Sequence, residues 1–350
     1  MPPTPPPPRV LVLGATGFIG RWLVLELLGR GTPVAASFRG TTAGAALRRW
    51  LRTHGADESG LTTVAADVTA PGLGIGGEDE ARLGEVRDVY NLAARYQFGL
   101  TRAEAEPVNV QGALNALRWS ATRPLLRRHV HLSGYRTGSD THPRYPLATQ
   151  AADTLYSTHG AYPASKRLGD AAIRVTAPEL GVPLTTVNPG NVIGHSQTGE
   201  YGQRFGLATV VRQLKAGQLP LLPSSKRTFV PVVTVDHLAA FLAAVPDFDD
   251  APVQVHTVLD PATPFFPELV EQLAGHLGVR PPRAIVPVGL VRHLPRGITG
   301  ASPEALTFLS EDQYDTASAT RLAATLGLTH PPVVPALQRW AGRLVAESSS

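Results

Sequence analysis

The sequence predicts an α/β protein in which a doubly wound parallel sheet is followed by a smaller, mostly helical C-terminal domain. Three observations support this fold class. A glycine-rich turn near the N-terminus joins an apolar strand to a helix, and strands and helices then alternate as far as residue 187. Beyond residue 194 the strand pattern fades, and proline-rich segments separate helical stretches. Such alternation implies parallel strands joined by helical crossovers that cover both faces of the sheet.

The first element of the chain is a predicted dinucleotide site. The apolar run Val10–Leu13 leads into Gly14, Gly17 and Gly20, and a helix follows over residues 21–28. Glycine lets the backbone approach a ligand closely, and the free N–H groups of a helix N-terminus face an anion. The spacing Gly-x-x-Gly-x-x-Gly is a variant of the Rossmann fingerprint, and a packing turn without a ligand is the alternative. We expect cofactor contacts from Gly14, Thr16, Gly17, Phe18, Ile19 and Gly20.

The second predicted strand, Thr32–Phe38, bears on the choice of cofactor. In nucleotide-binding sheets a carboxylate near the tip of this strand binds a free ribose 2′-hydroxyl, whereas an arginine suits a 2′-phosphate. Ser37, Phe38 and Arg39 occupy the tip here, and the first acid that follows them is Asp57. Arg39 therefore predicts NADP(H), with an ordinary loop arginine as the alternative.

The remaining elements of the predicted sheet place their ends at one edge. We predict helices over 43–54, 104–120 and 159–177, and strands over 61–66, 86–92, 128–132 and 184–187. In such sheets the ligand lies beyond the carboxyl ends of the strands. The residues at these ends are Gly14, Arg39, Asp67, Ala93, Ser133 and Asn188. Their convergence predicts a single site.

The chain divides into three predicted parts. Residues 1–8 form a disordered, proline-rich tail, and residues 9–195 with about 228–258 form the Rossmann domain. Residues 196–227 and 259–345 form a lid that supplies substrate contacts. Helices are predicted over 202–216, 265–277, 303–310 and 334–346 in the lid, and over 236–245 in the later part of the Rossmann domain.

Composition excludes several classes of chemistry. Hydrophobic residues make up 43% of the chain and charged residues 17%, as in a soluble globular enzyme. The absence of cysteine excludes disulfides, thiolate metal sites and cysteine nucleophiles. His129 and His131 share a strand face without a third ligand, so no metal is expected. The formal charge of +4 is scattered, and no apolar run is long enough for a membrane span, so we expect no nucleic acid, no membrane and a cytoplasmic location.

The strongest chemical signal is Tyr162 with Lys166 on the predicted helix 159–177. Residues four apart share a helix face, so the phenol and the ammonium point the same way. A phenol ordinarily has a pKa near ~10, and a cation one turn away favours its ionised form. Only three lysines occur in 350 residues, which lowers the odds of a chance pair. A surface helix pair is the alternative.

Taken together, these motifs resemble those of the extended short-chain dehydrogenase/reductase (SDR) family over residues 9 to 345. The resemblance rests on Gly14/Gly17/Gly20, Asp67–Val68, Asn91–Ala94, Asn109 with Gly112, Ser133, Tyr162 with Lys166, and Pro189–Gly194. Two stretches, Asp67–Ile75 and Asn188–Gly199, look most like the thioester-reductase and fatty-acyl-reductase branch.

The resemblance implies a role for each matching residue. Tyr162 exchanges a proton with the substrate oxygen, Lys166 tunes it and holds the nicotinamide ribose, and Ser133 binds the same oxygen, with Thr137 as the fallback. Asn109 either supports a water relay to the lysine or ties two strands together. Further cofactor contacts are expected from Asp67, Val68, Leu92, Ala93, Ala94, Pro189 and Val192. Hydride transfer needs an apolar pocket without water, and Tyr96 and Phe98 after the fourth predicted strand and His195 after the sixth either line it or are packing residues.

The expected function is that of an NADP(H)-dependent oxidoreductase. Its substrate would be a small-molecule aldehyde, ketone or activated acyl compound, or the corresponding alcohol. A nucleotide-sugar epimerase or dehydratase that uses the same triad is one alternative, and a non-catalytic NADP-sensing regulator is the other. A homodimer is left open.

Overall fold

The structure, a computed structural model, describes residues 5–40, 42–137, 145–291 and 306–348. The strands are β1 (Val10–Leu13), β2 (Val34–Phe38), β3 (Leu61–Ala65), β4 (Asp88–Asn91), β5 (Arg128–Leu132), β6 (Leu184–Pro189), β7 (Asn191–Ile193), β8 (Leu221–Pro223), β9 (Val232–Thr234), β10 (Val253–Val258) and β11 (Ala284–Val286). The helices are α1 (Phe18–Gly29), α2 (Ala43–Thr53), α3 (Gly77–Arg82), α4 (Arg102–Glu106), α5 (Gly112–Ala121), α6 (Thr149–His159), α7 (Ala161–Glu179), α8 (Leu207–Lys215), α9 (Val235–Phe248), α10 (Phe266–Leu277), α11 (Val288–Val291), α12 (Ala317–Thr325) and α13 (Val333–Ser348).

Seven strands form one sheet in the order β10-β6-β5-β4-β1-β2-β3, and every neighbouring pair is parallel. The predicted α/β fold is confirmed. The direction of winding reverses between β1 and β4, which pair from Val10 with Asp88 to Leu13 with Asn91. Ligands of open α/β sheets bind at such a switch point.

Buried apolar side chains cover both faces of the sheet. One core joins α1, α9 and α12 to the sheet and includes Leu23, Phe241 and Leu322. On the other face α5 and α7 pack together through Leu114, Leu117 and further apolar residues. Cover on both faces agrees with the burial of every residue in β1, β4, β5 and β6, polar residues included.

A second core lies in the C-terminal half. It is built from α8, α10 and α13, with Val211, Leu269 and Trp340 at its centre. Two short parallel sheets, β8 with β11 and β7 with β9, accompany it. Within the range predicted for the lid, α12 departs from this arrangement, because it packs against β10 and shares the first core.

The helix predicted over 104–120 contains a π-turn. It runs as α4, a π segment over Pro107–Gln111, and α5. The backbone of this segment lies directly against α7, since a Cβ at Gly169 would be 2.1 Å from the Asn109 carbonyl oxygen. Turns of this type recur at functional sites, and this one holds Asn109 at the base of the cleft described below.

Other boundaries differ locally from the sequence predictions. The helix expected from residue 202 begins at Leu207, because Gly206 has a φ of +62° that interrupts the helix. Helices α3, α6, α11 and α12 were not predicted. Residues 1–4 of the predicted tail and 303–305 of the helix predicted over 303–310 lie outside the described residues. The rest of that helix prediction was wrong, because residues 307–310 form a turn and a β-bridge from Ser310 to Phe229. Within the described ranges, every helix is too short or too polar to cross a bilayer.

Candidate active site

A cavity of about 450 Å³ opens at the carboxyl ends of the central strands. Sheet, helix α7 and the C-terminal half all contribute to its wall. The described residues that line it are Gly14, Gly17, Phe18, Ile19, Gly20, Leu92, Ala94, Tyr96, Leu132, Ser133, Gly134, Tyr135, Arg136, Thr137, His159, Tyr162, Pro163, Lys166, Arg167, Pro189, Gly190, Asn191, Val192, Gly202, Gln203, Arg204, Phe205, Thr307 and Phe308. The cavity therefore brings together the glycine turn and the Tyr–Lys pair, which are about 150 residues apart in the sequence.

The glycine turn forms the floor of one end. Gly14 has a φ of +82°, and a Cβ there would lie 2.8 Å from the Ala93 nitrogen. A Cβ at Gly20 would lie 2.2 Å from the Gly14 oxygen. The N-cap Gly17 contributes no side chain, and the first turn of α1 carries no acid. The helix N-terminus is thus open to a phosphate, and the residues present fit a dinucleotide.

Several predicted cofactor residues lie beside this floor and do not line the cavity. Thr16 and Arg39 are exposed, and Ala93 and Val68 belong to the packing around the turn. The Thr69 N–H lowers the pKa of Asp67, and the nearby charge of Arg39 adds to this effect.

The tip of β2 is joined to the glycine turn by a hydrogen bond. The Gly14 N–H donates to the Ser37 hydroxyl over 3.1 Å. Ser37 is buried, and Arg39 lies exposed two residues further on. The tip of β2 therefore carries no acid, and Ser37 there supports the glycine turn.

Tyr162 and Lys166 both face the cavity from α7. The buried Lys166 Nζ donates to the Leu132 carbonyl over 2.8 Å. Burial lowers the pKa of Lys166 to about 8, and the charge of Asp170 one turn later opposes that shift. The Tyr162 ring packs edge-on against Tyr96, with 4.8 Å between ring centroids. The side chains that could move a proton are therefore held in place by backbone and aromatic contacts.

Ser133 follows β5 and shares its hydrogen bonds with the fallback residue. Its hydroxyl lies 2.8 Å from the Thr137 hydroxyl, and Thr137 is also 2.7 Å from the Gly134 oxygen and 3.2 Å from Asn188 Oδ1. Both hydroxyls are buried and both line the cavity. The structure thus brings the preferred and the fallback residue to the same wall.

Asn109 connects the loop after β4 to α7. Its Oδ1 accepts from the Arg95 N–H over 2.8 Å, and its Nδ2 donates to Ser165 Oγ over 2.9 Å. Asn109 is buried and is not among the described lining residues. These contacts favour a tie between a loop and a helix, and the water relay stays a prediction.

The three predicted substrate residues fall in three places. Tyr96 lines the main cavity, while Phe98 lines an adjoining apolar pocket of about 100 Å³ that shares Tyr96, Asn191 and Phe308 with it. His195 lies against Trp22, with 4.6 Å between ring centroids, and is outside the described lining of both.

Several cavity-lining residues were not predicted from the sequence. Among them are Arg136, His159, Arg167, Arg204 and Phe308. A local signal existed for two of them, because Arg136 is three residues after Ser133 and Arg167 directly follows Lys166. The segments 202–205 and 307–308 carry no motif.

The two strand histidines are structural. Burial lowers the pKa of His129 to about 3, and its Nδ1 lies 2.8 Å from the Ser120 hydroxyl. His131 is buried beside Asn91, 3.3 Å from Nδ2 of the amide. Across the described ranges, no cluster of three or more His, Asp or Glu side chains could hold a metal.

The seven-stranded sheet, the glycine cradle and the Tyr–Lys pair define a protein of the extended SDR class. Residues 12–242 match the family model described as male sterility protein, so the chain belongs to that family. The model is that of an NAD-binding domain, so the cofactor of the chain is a nicotinamide dinucleotide.

Several relatives of this chain are named as reductases. Aldehyde reductase lnbA of Aspergillus flavus is 26% identical over 260 residues, covering 67% of this chain and 25% of the relative. Dihydroflavonol 4-reductase of Callistephus chinensis is 30% identical over 197 residues, covering 54% of this chain and 52% of the relative. The chain thus spans about a quarter of the first relative and about half of the second.

Solved structures show the same fold. The terminal R domain from the myxalamid PKS-NRPS pathway has a TM-score of 0.74 at 19% identity, covering 100% of this chain and 93% of that domain. The UDP-glucuronic acid 4-epimerase from Bacillus cereus in complex with NAD has a TM-score of 0.65 at 14% identity, covering 96% of this chain and 99% of that enzyme.

Proposed function

We propose that this protein is an NADP(H)-dependent reductase that acts on the carbonyl of a small-molecule aldehyde, ketone or activated acyl compound. One observation carries the proposal: Tyr162, Lys166 and Ser133 line the same cavity as the glycine turn. The named relatives, which include two aldehyde reductases and a dihydroflavonol reductase, support this reaction class.

The chemistry follows from the side chains around the reacting oxygen. When bound, the reduced nicotinamide supplies a hydride to the carbonyl carbon. The Tyr162 phenol donates a proton to the oxygen as negative charge develops there, and the Ser133 hydroxyl orients that oxygen. General acid catalysis of this kind contributes about 10²–10⁴-fold to a rate.

Lys166 supports the proton donor from one turn away. Its ammonium stabilises the phenolate that remains after proton transfer. Because Nζ is fixed on the Leu132 carbonyl oxygen, the charge stays in place during the reaction. A preorganised charge in a buried site acts without further reorganisation.

The preference for NADP(H) is supported by the tip of β2. None of Ser37, Phe38 and Arg39 is an acid that would bind a free 2′-hydroxyl. Arg39 is exposed and offers a guanidinium that can pair with a phosphate through two parallel hydrogen bonds.

The aromatic side chains at the other end support reduction of a carbonyl away from water. Tyr96 packs on Tyr162, and Phe98 lies 5.5 Å from Phe308 between ring centroids. An apolar wall excludes the water that would compete at the reacting centre. The adjoining apolar pocket gives an uncharged substituent of the substrate a place to bind.

The experiment is a screen of carbonyl compounds that follows NADPH oxidation by absorbance. The panel includes aldehydes, ketones, acyl thioesters and nucleotide sugars, and each active compound is tested again with Tyr162→Phe. We expect turnover of carbonyls by the wild type and loss of turnover in the variant, with NADPH binding retained in a fluorescence titration.

Tyr156→Phe is the matched control, since Tyr156 lies on α6 outside the described lining of both cavities. Turnover that survives in Tyr162→Phe would contradict the acid–base assignment. Conversion of nucleotide sugars without net NADPH oxidation would favour the epimerase alternative, and cofactor binding without any turnover would favour the sensing regulator.

A further inference from the structure

The charged side chains that line the main cavity are of one sign. Among the described lining residues these are Lys166, Arg136, Arg167 and Arg204, and none of the described lining residues is an aspartate or glutamate. A cavity lined by one sign of charge concentrates ligands of the opposite sign. Part of this charge serves the phosphates of the dinucleotide, so the position of each cation matters.

Two of the four cations belong to the end that holds the dinucleotide. Lys166 is fixed on the Leu132 carbonyl oxygen beside Tyr162. Arg204 follows Gly202, which lies so close to the α1 turn that a Cβ on it would be 2.5 Å from Phe18 Cβ.

Arg136 and Arg167 lie at the other end, against the segment 307–314. Arg136 donates to Ser310 Oγ over 3.0 Å, and its guanidinium carbon is 5.6 Å from the Phe308 ring centroid. Among the described residues, Arg136 pairs with Asp312 at 3.9 Å, whose side chain is 61% exposed. An exposed carboxylate at that distance neutralises little of the charge of Arg136.

Arg167 adds a second guanidinium beside the first. Its Nη1 lies 3.1 Å from His159 Nε2. Burial lowers the pKa of Arg167 and the charge of Arg136 lowers it further, while Tyr314 and Asp312 act in the opposite direction. Burial also lowers the pKa of His159, with the two arginines adding to the effect, so this ring is neutral at pH 7 and accepts from Arg167.

This arrangement is electrostatically incomplete. Two half-buried guanidiniums repel each other, and Asp312, the described carboxylate that acts on both of them, is 61% exposed and offsets little of their charge. An oxyanion placed between the two guanidiniums would relieve the repulsion. It would also accept hydrogen bonds from their N–H groups in the planar geometry that arginine favours.

We propose that Arg136 and Arg167 bind a carboxylate or phosphate group of the substrate, so that this reductase acts on carbonyl compounds that carry an oxyanion. The inference rests on the proposed function, because it assigns the substrate class of the same cavity. The glycine turn would hold the phosphates of the dinucleotide, and neither of these two arginines belongs to it.

The test compares matched substrates that differ only in charge. With saturating NADPH, kcat/KM is measured for 4-oxobutanoate and its methyl ester, and for glyceraldehyde 3-phosphate and glyceraldehyde. We expect the wild type to prefer the charged member of at least one pair by about tenfold or more, as a hydrogen bond to a charged group would give. The pair that shows the preference identifies the oxyanion as carboxylate or phosphate.

The arginine variants assign the preference to its source. Arg136→Gln and Arg167→Gln should each lower the charged-to-neutral ratio about tenfold, mainly through KM, with NADPH affinity unchanged. Arg136→Lys and Arg167→Lys should restore part of it, because they keep the charge without the planar fork. Arg118→Gln, an exposed position on α5, is the matched control.

Each contrary outcome is distinct. Equal turnover of charged and neutral partners by the wild type would overturn this inference and leave the proposed function standing. The inference would also be overturned if the glutamine variants left the charged-to-neutral ratio of kcat/KM unchanged, or if they lowered NADPH affinity and not that ratio. If no carbonyl compound is reduced, the proposed function fails.

If no carbonyl compound is reduced, the binding of charged and neutral ligands still decides whether the two arginines form an oxyanion site. Succinate or glycerol phosphate, but not dimethyl succinate or glycerol, should raise the unfolding midpoint of the NADPH-loaded protein. The two glutamine variants should lose that increase, and equal effects of charged and neutral compounds would overturn the inference.

Discussion

Backbone atoms form the wall at one end of the cavity, and side chains form it at the other. At the glycine end the wall is backbone, and its shape depends on the absence of side chains at Gly14 and Gly20. At the opposite end the wall is side chains: Tyr96, Phe308, Arg136 and others that arrive from separate segments. A backbone cradle suits a ligand that never changes, whereas a side-chain wall can be altered one residue at a time.

The largest difference between the ends should appear when a side chain is added to the cradle. Gly20→Val places a Cβ 2.2 Å from the Gly14 oxygen, so the turn must move. We expect NADPH binding to fall at least about 100-fold, with a loss of about 1–3 kcal/mol in the free energy of unfolding. Fluorescence titration and urea unfolding measure the two effects.

Gly29→Ala is the control in the same helix, because nothing lies within 4 Å of its added Cβ. It should leave NADPH binding unchanged. Normal NADPH affinity in Gly20→Val would contradict the assignment of the glycine turn as the cofactor cradle.

Lys166 lines the cavity beside Tyr162, and the loss of its charge should set the upper pH limit of the reaction. The pKa of Lys166 is lowered to about 8 by burial, so the ammonium is present below that pH and is lost above it. We expect reductive kcat/KM to fall as pH rises through about 8. A steady-state pH profile with a fixed carbonyl substrate measures this.

Two variants separate the charge of Lys166 from its shape. Lys166→Met should lower kcat about 100-fold at pH 7 and remove the limb near pH 8. Lys166→Arg, which cannot deprotonate in this range, should move that limb upward while retaining part of the activity. An unchanged limb in both variants would assign the titration to another group.

Filling the apolar pocket should affect only the substrate end. Val210 lines the apolar pocket of about 100 Å³ together with Phe98, Leu219 and Phe266, and Val210→Phe puts a larger side chain into that space. We expect kcat/KM for carbonyl compounds with long apolar substituents to fall about tenfold, while short ones and NADPH binding are unaffected. Val175→Phe, at a position 43% exposed, is the control.

The smallest predicted effect concerns the choice of cofactor. Arg39 is exposed, so its pairing with a 2′-phosphate is weakened by water and salt. Arg39→Ala should lower the preference for NADPH over NADH by about tenfold or less. The measurement is the ratio of the two dissociation constants, with Arg87→Ala as an exposed control. A wild-type protein that binds NADH more tightly would contradict the NADP(H) assignment.

How much could be predicted from the sequence follows the same division. The glycine turn and Tyr162 with Lys166 are local patterns, because one helix or one turn fixes their geometry. The parallel sheet was predictable for a similar reason, since the alternation of elements determines it. The placement of both motifs in a single cavity then follows from strand order.

The side-chain wall could not be predicted in this way. Arg136 becomes part of the cavity wall only together with Arg167 and Phe308. Phe308 is more than 140 residues away in the sequence, and no spacing rule joins the three residues. His195 shows the converse, because its position after β6 indicated a substrate contact, while packing against Trp22 places it outside both cavities. The π segment at Asn109 is set by its contact with Gly169, which local propensity does not encode.

The central claim is that Tyr162 donates a proton while a hydride moves from the cofactor to a carbonyl carbon. The most direct test is incubation of the most active carbonyl substrate with NADPH deuterated at both C4 positions, followed by mass spectrometry of the product. We predict one deuterium on the former carbonyl carbon with the wild type, matched by one equivalent of NADP⁺, and neither with Tyr162→Phe. A product without deuterium, or label incorporation that persists in the phenylalanine variant, would contradict the account.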